Sequence, residues 1–371
     1  MDLTSIRIRE HFGLVANDSH RDHFSFLISP PKSRLSVEKS DYILVDHPLM
    51  GEACQVLAVI NEISSYEEIA GSTINDKKAK MLATAEILGY IDLRGENRKI
   101  EKLLVPPNPG SRVYIPLREF LQDILNRNQK GENYKSPVLL GTFGGLSAEE
   151  RANNGVIKAF VDAAEFTSKN TLISAVSGAG KTFLTQKILT ALPEKAAQRV
   201  IIFDSYGEYK QLPAGDFKVT SKTNPEALLK EAEKVKVARI NAHGLTGDER
   251  RAVYTEFLRA LLKLRAEEKI SPTLVVVEEA EILKGPVLEE AAMAATKNQL
   301  ALCLLTTHPS MLGGKILSNV GTQFVGRTVD AEDVVFLKNV IGKKDIVKLP
   351  VGDWIFNGVD RYMPLKVRVE K

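Results

Sequence analysis

The sequence predicts an α/β chain in two parts: a small N-terminal antiparallel β-barrel, then a mostly parallel sheet with helices on both faces. Three observations lead there. A length of 371 residues suggests two or three domains at ~100–200 residues each. The first part of the chain holds short β-branched runs at close spacing, and the remainder alternates strand-like and helix-like segments. Hydrophobic residues at 44% and charged residues at 26% are ordinary for a globular chain and exclude collagen-like, disordered and disulfide-scaffold classes. The expected division is 1–120 for the barrel, 121–136 for a helix end and linker, and 137–371 for the α/β domain.

In the first part, Phe24–Ile28, Tyr42–Val45 and Gln55–Ile60 have strand length and composition, and the clusters Ser29–Lys32 and His47–Gly51 read as turns. Several such strands in succession point to a barrel. A helical patch is expected over Asp76–Leu88, and Pro106-Pro-Asn-Pro-Gly110 breaks the pattern before a helix from Leu117 to about Asn126. The polar run Asn126–Ser136 reads as the linker.

From Pro137 onward, buried strands are expected at Thr171–Val176, Arg199–Asp204, Val235–Asn241, Thr273–Glu278, Ala301–Thr307 and Gln323–Thr328. Between them, Asp248–Glu268 sets Val253, Phe257, Leu261 and Leu264 on one helical face. Such a sheet carries its ligand site at the carboxyl ends of its strands.

No apolar stretch approaches the ~18 residues needed to span a bilayer, and the N-terminus lacks an apolar signal segment. Cys54 and Cys303, the two cysteines, lie far apart, which indicates neither zinc nor a disulfide framework. A cytoplasmic location without membrane attachment is expected. The net charge of +3, from 50 basic and 47 acidic side chains, is too mild to identify a partner. His20 and His23 have no acidic or cysteine partner that completes a metal site in the sequence.

The strongest local signal is Ala175-Val-Ser-Gly-Ala-Gly180-Lys181-Thr182, between an apolar strand and the helical run Phe183–Leu192. That is the setting of a phosphate-binding loop. Gly178 and Gly180 let backbone N–H groups turn inward where a Cβ would collide, and the helix N-terminus adds positive potential. The nucleotide-binding set is Ser177, Gly178, Ala179, Gly180, Lys181, Thr182 and Phe183. Lys181 reaches the β- and γ-phosphates, and the Thr182 hydroxyl coordinates Mg²⁺. ATP and Mg²⁺ are therefore the expected cofactors.

About 95 residues on, Leu274-Val-Val-Val-Glu278-Glu279-Ala280-Glu281 delivers two carboxylates at a strand tip. Hydrolysis needs two acids there, one for the Mg²⁺ hydration shell and one to activate water. Glu278 takes the first role and Glu279 the second.

With these motifs in place, the chain resembles the HerA-like branch of the HerA–FtsK translocase superfamily, as a short variant of the archaeal type. The resemblance rests on Val200-Ile-Ile-Phe-Asp204-Ser-Tyr-Gly207-Glu208-Tyr209, similar to a strand ending in Asp-x-x-Gly-Glu-Tyr, and on Glu278-Glu-Ala-Glu281 at the Walker B position. It extends to Leu305-Thr-Thr-His-Pro309-Ser310, and to Gly326-Arg327 downstream. Ala85–Gly89 and Pro106–Tyr114 resemble the family's barrel and its exit. The resemblance implies a RecA-like P-loop ATPase domain behind a HAS-barrel-like domain, assembled as a hexameric ring that pumps double-stranded DNA, in archaea commonly with the nuclease NurA at DNA ends. DNA end processing or repair is the implied setting.

It further implies catalytic roles for Glu278, Glu279 and, as arginine finger, Arg327. Thr307 stands at the sensor position, where the family has Gln. Asp204 and Glu208 lie near the nucleotide. The family's Arg after the Walker B helix aligns with Thr296, leaving Lys297 and Lys169 as weaker substitutes because Lys lacks the bidentate fork. Lys284, Arg250, Arg251 and Lys315 are the basic candidates for DNA contact. Two alternatives to the DNA motor follow from these departures and from the wider superfamily: a nucleotide-gated assembly subunit with little turnover, and a motor acting on protein.

Overall fold

A computed structural model describes residues 5–28, 37–65, 81–95, 97–144, 156–195, 198–342, 345–359, 361 and 363–369. The turn expected at Ser29–Lys32 and residues 76–80 of the expected helical patch lie outside them. The chain divides into two compact units. One comprises Met1–Tyr134, Thr142–Ala159 and Asp360–Met363, and the other Lys135–Gly141, Phe160–Val359 and Pro364–Lys371.

The first unit is built on β1 (Gly13–Val15), β2 (His23–Ile28), β3 (Tyr42–His47), β4 (Gly51–Ser65), β5 (Met81–Asp92), β6 (Ile100–Glu101) and β7 (Arg112–Tyr114). Their order is β2-β1-β7-β3-β4-β5, and a β2–β5 pairing closes the ring, with β6 added to β5. The core is Phe24, Phe26, Val45, Val56, Ala83, Ala85 and Val113, all essentially inaccessible to water. The described part of the expected helical patch is a strand: β5 pairs with β2 and β4 along nearly its whole length. Its Ala- and Leu-rich composition favours a helix locally, but Ala83, Ala85 and Ile87 alternate into the barrel core, and that burial overrides propensity.

A helix over Arg118–Ile124 then buries Phe120, Leu121 and Ile124. The polar run after it is ordered by its own side chains. Asn128 Oδ1 accepts from the Lys130 and Glu132 N–H groups, and the Arg127 guanidinium bridges Asp123 and the Gly131 carbonyl.

The second unit carries β10 (Asn170–Ser174), β11 (Arg199–Asp204), β12 (Gly215–Lys218), β13 (Val237–Asn241), β14 (Thr273–Val277), β15 (Leu300–Thr306), β16 (Val320–Val325), β17 (Asp353–Asn357) and β18 (Leu365–Arg368). The order is β12-β13-β11-β14-β15-β10-β16-β17-β18, continued by β8 (Pro137–Phe143) and β9 (Lys158–Asp162), whose residues are shared between the units. Neighbours from β12 to β16 are parallel, and β16, β17 and β18 are antiparallel. Every residue of β10, β13, β14 and β15 is buried, as in parallel sheets covered on both faces.

The expected amphipathic helix runs Gly247–Ala266 and starts at a capping box between Thr246 and Glu249. Its Val253, Phe257, Leu261 and Leu264 are buried as the spacing predicts, and Tyr254 stacks on Phe203 with ring centroids 4.6 Å apart. Among the described residues no helix is long and apolar enough to cross a membrane.

Candidate nucleotide site

The strand order places the chemistry. The loop follows β10, and Glu278 follows β14. Between these two strands lies β15, whose end carries Thr306 and Thr307. All three tips lie at the carboxyl edge of the sheet, with β11 and Asp204 next to β14.

The loop turns on Gly178 (φ 76°) and Gly180 (φ 102°), in the region glycine occupies without penalty. It is fastened by Ala179 N–H to the Val176 carbonyl (3.3 Å) and Val176 N–H to the Arg327 carbonyl (2.8 Å). The indole of Trp354, 1% exposed, backs it: a Cβ on Gly180 would lie 4.0 Å from the ring, and one on Gly326 only 2.9 Å. Ser177 and Gly178 are exposed and Ala179 is buried, while Gly180 to Phe183 are half-buried. The helix Lys181–Lys195 begins here, so its first N–H groups point into the loop.

Lys181 Nζ donates to the carbonyls of Ala175 (2.8 Å) and Val176 (3.4 Å). Burial lowers its pKa from the ordinary 10.5, opposed by the charges of Glu281, Glu208, Glu278 and Glu279. Thr182 donates its hydroxyl to the Glu208 carboxylate, and Gln186 Nε2 holds the Glu208 carbonyl at 2.9 Å. Asp204, fully buried, accepts from the N–H groups of Gly207 (2.6 Å) and Glu208 (3.1 Å). It therefore shapes the turn that brings Glu208 to Thr182.

Glu278 is 5% exposed and accepts from the Ser205 N–H at 3.1 Å. Burial, then the charges of Asp204 and Glu208, push its carboxyl up to about 8. Glu279 is half-buried and sits on left-handed backbone (φ 49°, ψ 51°) ahead of a 3₁₀ turn, Ala280–Leu283. Its Oε1 accepts from the Tyr206 hydroxyl at 2.6 Å. Thr307 donates to Glu281 Oε1 at 3.1 Å.

A buried carboxyl crowded by two others, one of them bound to a helix-start hydroxyl, suits a hard cation that takes oxygen ligands. Among the described residues no three His, Cys, Asp or Glu side chains form a metal cage. Mg²⁺, which binds through one or two protein oxygens together with phosphates and water, is a hard cation of that kind.

The raised Glu278 value has a thermodynamic consequence. Between about 4.5 and 8 the folded chain keeps a proton that the unfolded chain has released, so stability falls as pH rises through that window and levels off above it. In EDTA, wild-type protein should lose on the order of 4 kcal/mol from this group between pH 4.5 and 8.5, and Glu278→Gln should flatten that slope. Parallel slopes in denaturant titrations would refute it.

The structure thus brings together Lys181, Thr182, Glu208, Glu278 and Glu279, with Asp204 behind them. Arg327 is exposed beside the loop and makes no ion pair among the described residues. The nearby acids are engaged elsewhere: Asp330 caps the helix Ala331–Ile341, and Asp333 accepts from Ser310 and faces His308 Nδ1 at 3.1 Å. Lys297 does not join the group. It precedes β15, at the opposite edge of the sheet, about 20 Å away along a seven-residue strand. Lys169 likewise precedes β10 and pairs with Glu165 (3.7 Å). Lys315 pairs with Glu289 (3.1 Å), and Lys284 and Arg251 are exposed. Tyr206 and Gln186 were not singled out by the sequence. Tyr206 fills a position that the motif leaves open, and Gln186 is one helical turn beyond Thr182.

Residues 143–302 match the family model described as Helicase HerA, central domain. The uncharacterized protein aq_aa31 of Aquifex aeolicus (strain VF5) is 31% identical over 136 residues, 36% of this chain and 45% of that protein. The chain thus spans less than half the length of that relative. Among solved structures, VirB4 of Thermoanaerobacter pseudethanolicus aligns with a TM-score of 0.49 at 14% identity, covering 64% of this chain and 97% of that one. The genome packaging NTPase B204 from Sulfolobus turreted icosahedral virus 2, in complex with ATP-gammaS, aligns at 0.44 and 12% identity, covering 55% and 99%.

Proposed function

We propose that this chain, whose residues 143–302 match the family model described as Helicase HerA, central domain, hydrolyses ATP to move double-stranded DNA, working as a ring of identical subunits, hexameric by family analogy. The observation that carries the reading is the convergence of Lys181, Thr182, Glu278 and Glu279 at one sheet edge within that domain. The loop N–H groups and Lys181 would hold the triphosphate, and Thr182 and Glu278 would hold Mg²⁺. When bound, the ion neutralises charge on the β- and γ-oxygens.

Glu279 takes a proton from water as its oxygen attacks the γ-phosphorus. The bond from that phosphorus to the β–γ bridging oxygen breaks, and ADP leaves with the electron pair. In this reading Thr307 takes the sensor role, and Arg327 acts as the arginine finger where subunits of the ring meet. A NurA-type nuclease and a role in DNA end repair belong to this reading as partner and setting.

The test is steady-state ATP hydrolysis by the purified chain with and without duplex DNA, alongside its mass in solution. Duplex DNA should raise turnover several-fold, and the stimulation should fall steeply between ~50 and 200 mM salt as phosphate contacts are screened. Intact oligomers that no DNA stimulates would overturn the motor. Turnover near background with an ATP-dependent change in mass would select a nucleotide-gated assembly subunit instead.

A further inference from the structure

The hydrolytic reading leaves one side chain unused at its centre. Tyr206 donates its hydroxyl to Glu279 Oε1 at 2.6 Å, and its ring is held from outside. The Arg250 guanidinium lies over it, 4.8 Å from the centroid, within the range of a cation–π contact. Arg250 Nη1 also reaches the Ser205 carbonyl at 3.5 Å, and its Nε is buried with no hydrogen-bond partner. Arg250 is therefore committed to this loop rather than free on the surface. The backbone of Tyr206 is fixed as well, since Ser205 N–H is bound by Glu278 and Gly207 N–H by Asp204.

We propose that Tyr206 is a positioning residue for Glu279, and that Arg250 positions Tyr206 in turn. The inference rests on Glu279 acting as the base. A glutamate has three rotatable side-chain bonds, and a base must present one oxygen to water in a fixed direction. A single donor on Oε1 fixes the carboxylate plane and leaves Oε2 for the water. This is the logic by which a third group orients the base of a catalytic pair. Partial desolvation and the bond to Glu279 both hold the phenol proton in place on this exposed side chain, so Tyr206 stays a donor through the neutral range.

The experiment compares the full-length wild type with Tyr206→Phe, Arg250→Ala and Arg250→Lys, using steady-state ATP hydrolysis and calorimetric binding of ATPγS. Removing the hydroxyl should lower kcat about 10-fold and leave KM and the calorimetric Kd within about twofold. Arg250→Ala should lower kcat about threefold, and Arg250→Lys should recover most of it because the cation over the ring is kept. In a Glu279→Gln background, Tyr206→Phe should have no further effect, because both changes act on one step.

A Tyr206→Phe enzyme with kcat within twofold of wild type, or above it, overturns the inference while leaving the hydrolytic reading standing. So does a loss that appears in KM and Kd alone. A wild-type chain that binds ATPγS without any turnover overturns both.

Discussion

Glu279→Gln should lower ATP turnover by about 10³-fold, within the ~10²–10⁴ that a general base contributes. Nucleotide affinity should stay within a few-fold of wild type. The amide is close to isosteric and keeps an oxygen that accepts from Tyr206, so the tip of β14 need not move. What it cannot do is take the proton from water. Neither Glu278 nor Asp204 replaces it, because Glu278 is buried and bound by the Ser205 N–H, and Asp204 is bound by the Gly207 and Glu208 N–H groups. Single-turnover hydrolysis and calorimetry read the two quantities separately. Turnover above a tenth of wild type would remove Glu279 from the role of base.

Lys181→Ala should show the complementary pattern, with ATP affinity reduced about 100-fold or more and turnover lost with it. One or two charge-assisted hydrogen bonds to phosphate disappear, each worth about 1.5–3 kcal/mol. The four glutamates whose charges bear on Lys181 are left without that neighbour, so the site repels a polyanion more strongly. The fold should survive. Burial is the largest influence on the Lys181 ammonium and works against the charged form, so removing the ammonium also removes a desolvation cost. Calorimetric titration with ATP and Mg²⁺ checks this, and wild-type affinity in the variant would show that the loop is not the triphosphate seat.

The two variants fail at different places because their residues were legible for different reasons. The loop is a local device: glycines, a lysine and a threonine in fixed order between a strand and a helix dictate one geometry whatever surrounds them. The Glu278–Glu279 pair is legible because an apolar run of strand length ends in two acids downstream of a phosphate-binding loop, the pairing that hydrolysis needs.

Features that depend on distant parts of the chain were harder to read. The segment Met81–Asp92 carries helix-forming residues, and only pairing with β2 and β4 makes it a strand. Lys297 lies near the acidic pair in sequence, yet a helix and the start of β15 carry it to the far edge of the sheet. The antiparallel strands β17 and β18 carry no local motif, although β17 supplies the indole behind Gly180. Tyr206 could not be found from its own position. Its meaning comes from Glu279, 73 residues away in the chain.

The left-handed backbone at Glu279 sets two selective demands against each other at one codon. A residue with a Cβ held there carries roughly 1 kcal/mol of conformational strain that glycine would relieve. Glu279→Gly would then firm the domain while silencing its chemistry, so a screen for heat resistance alone would drift toward that change and discard the enzyme.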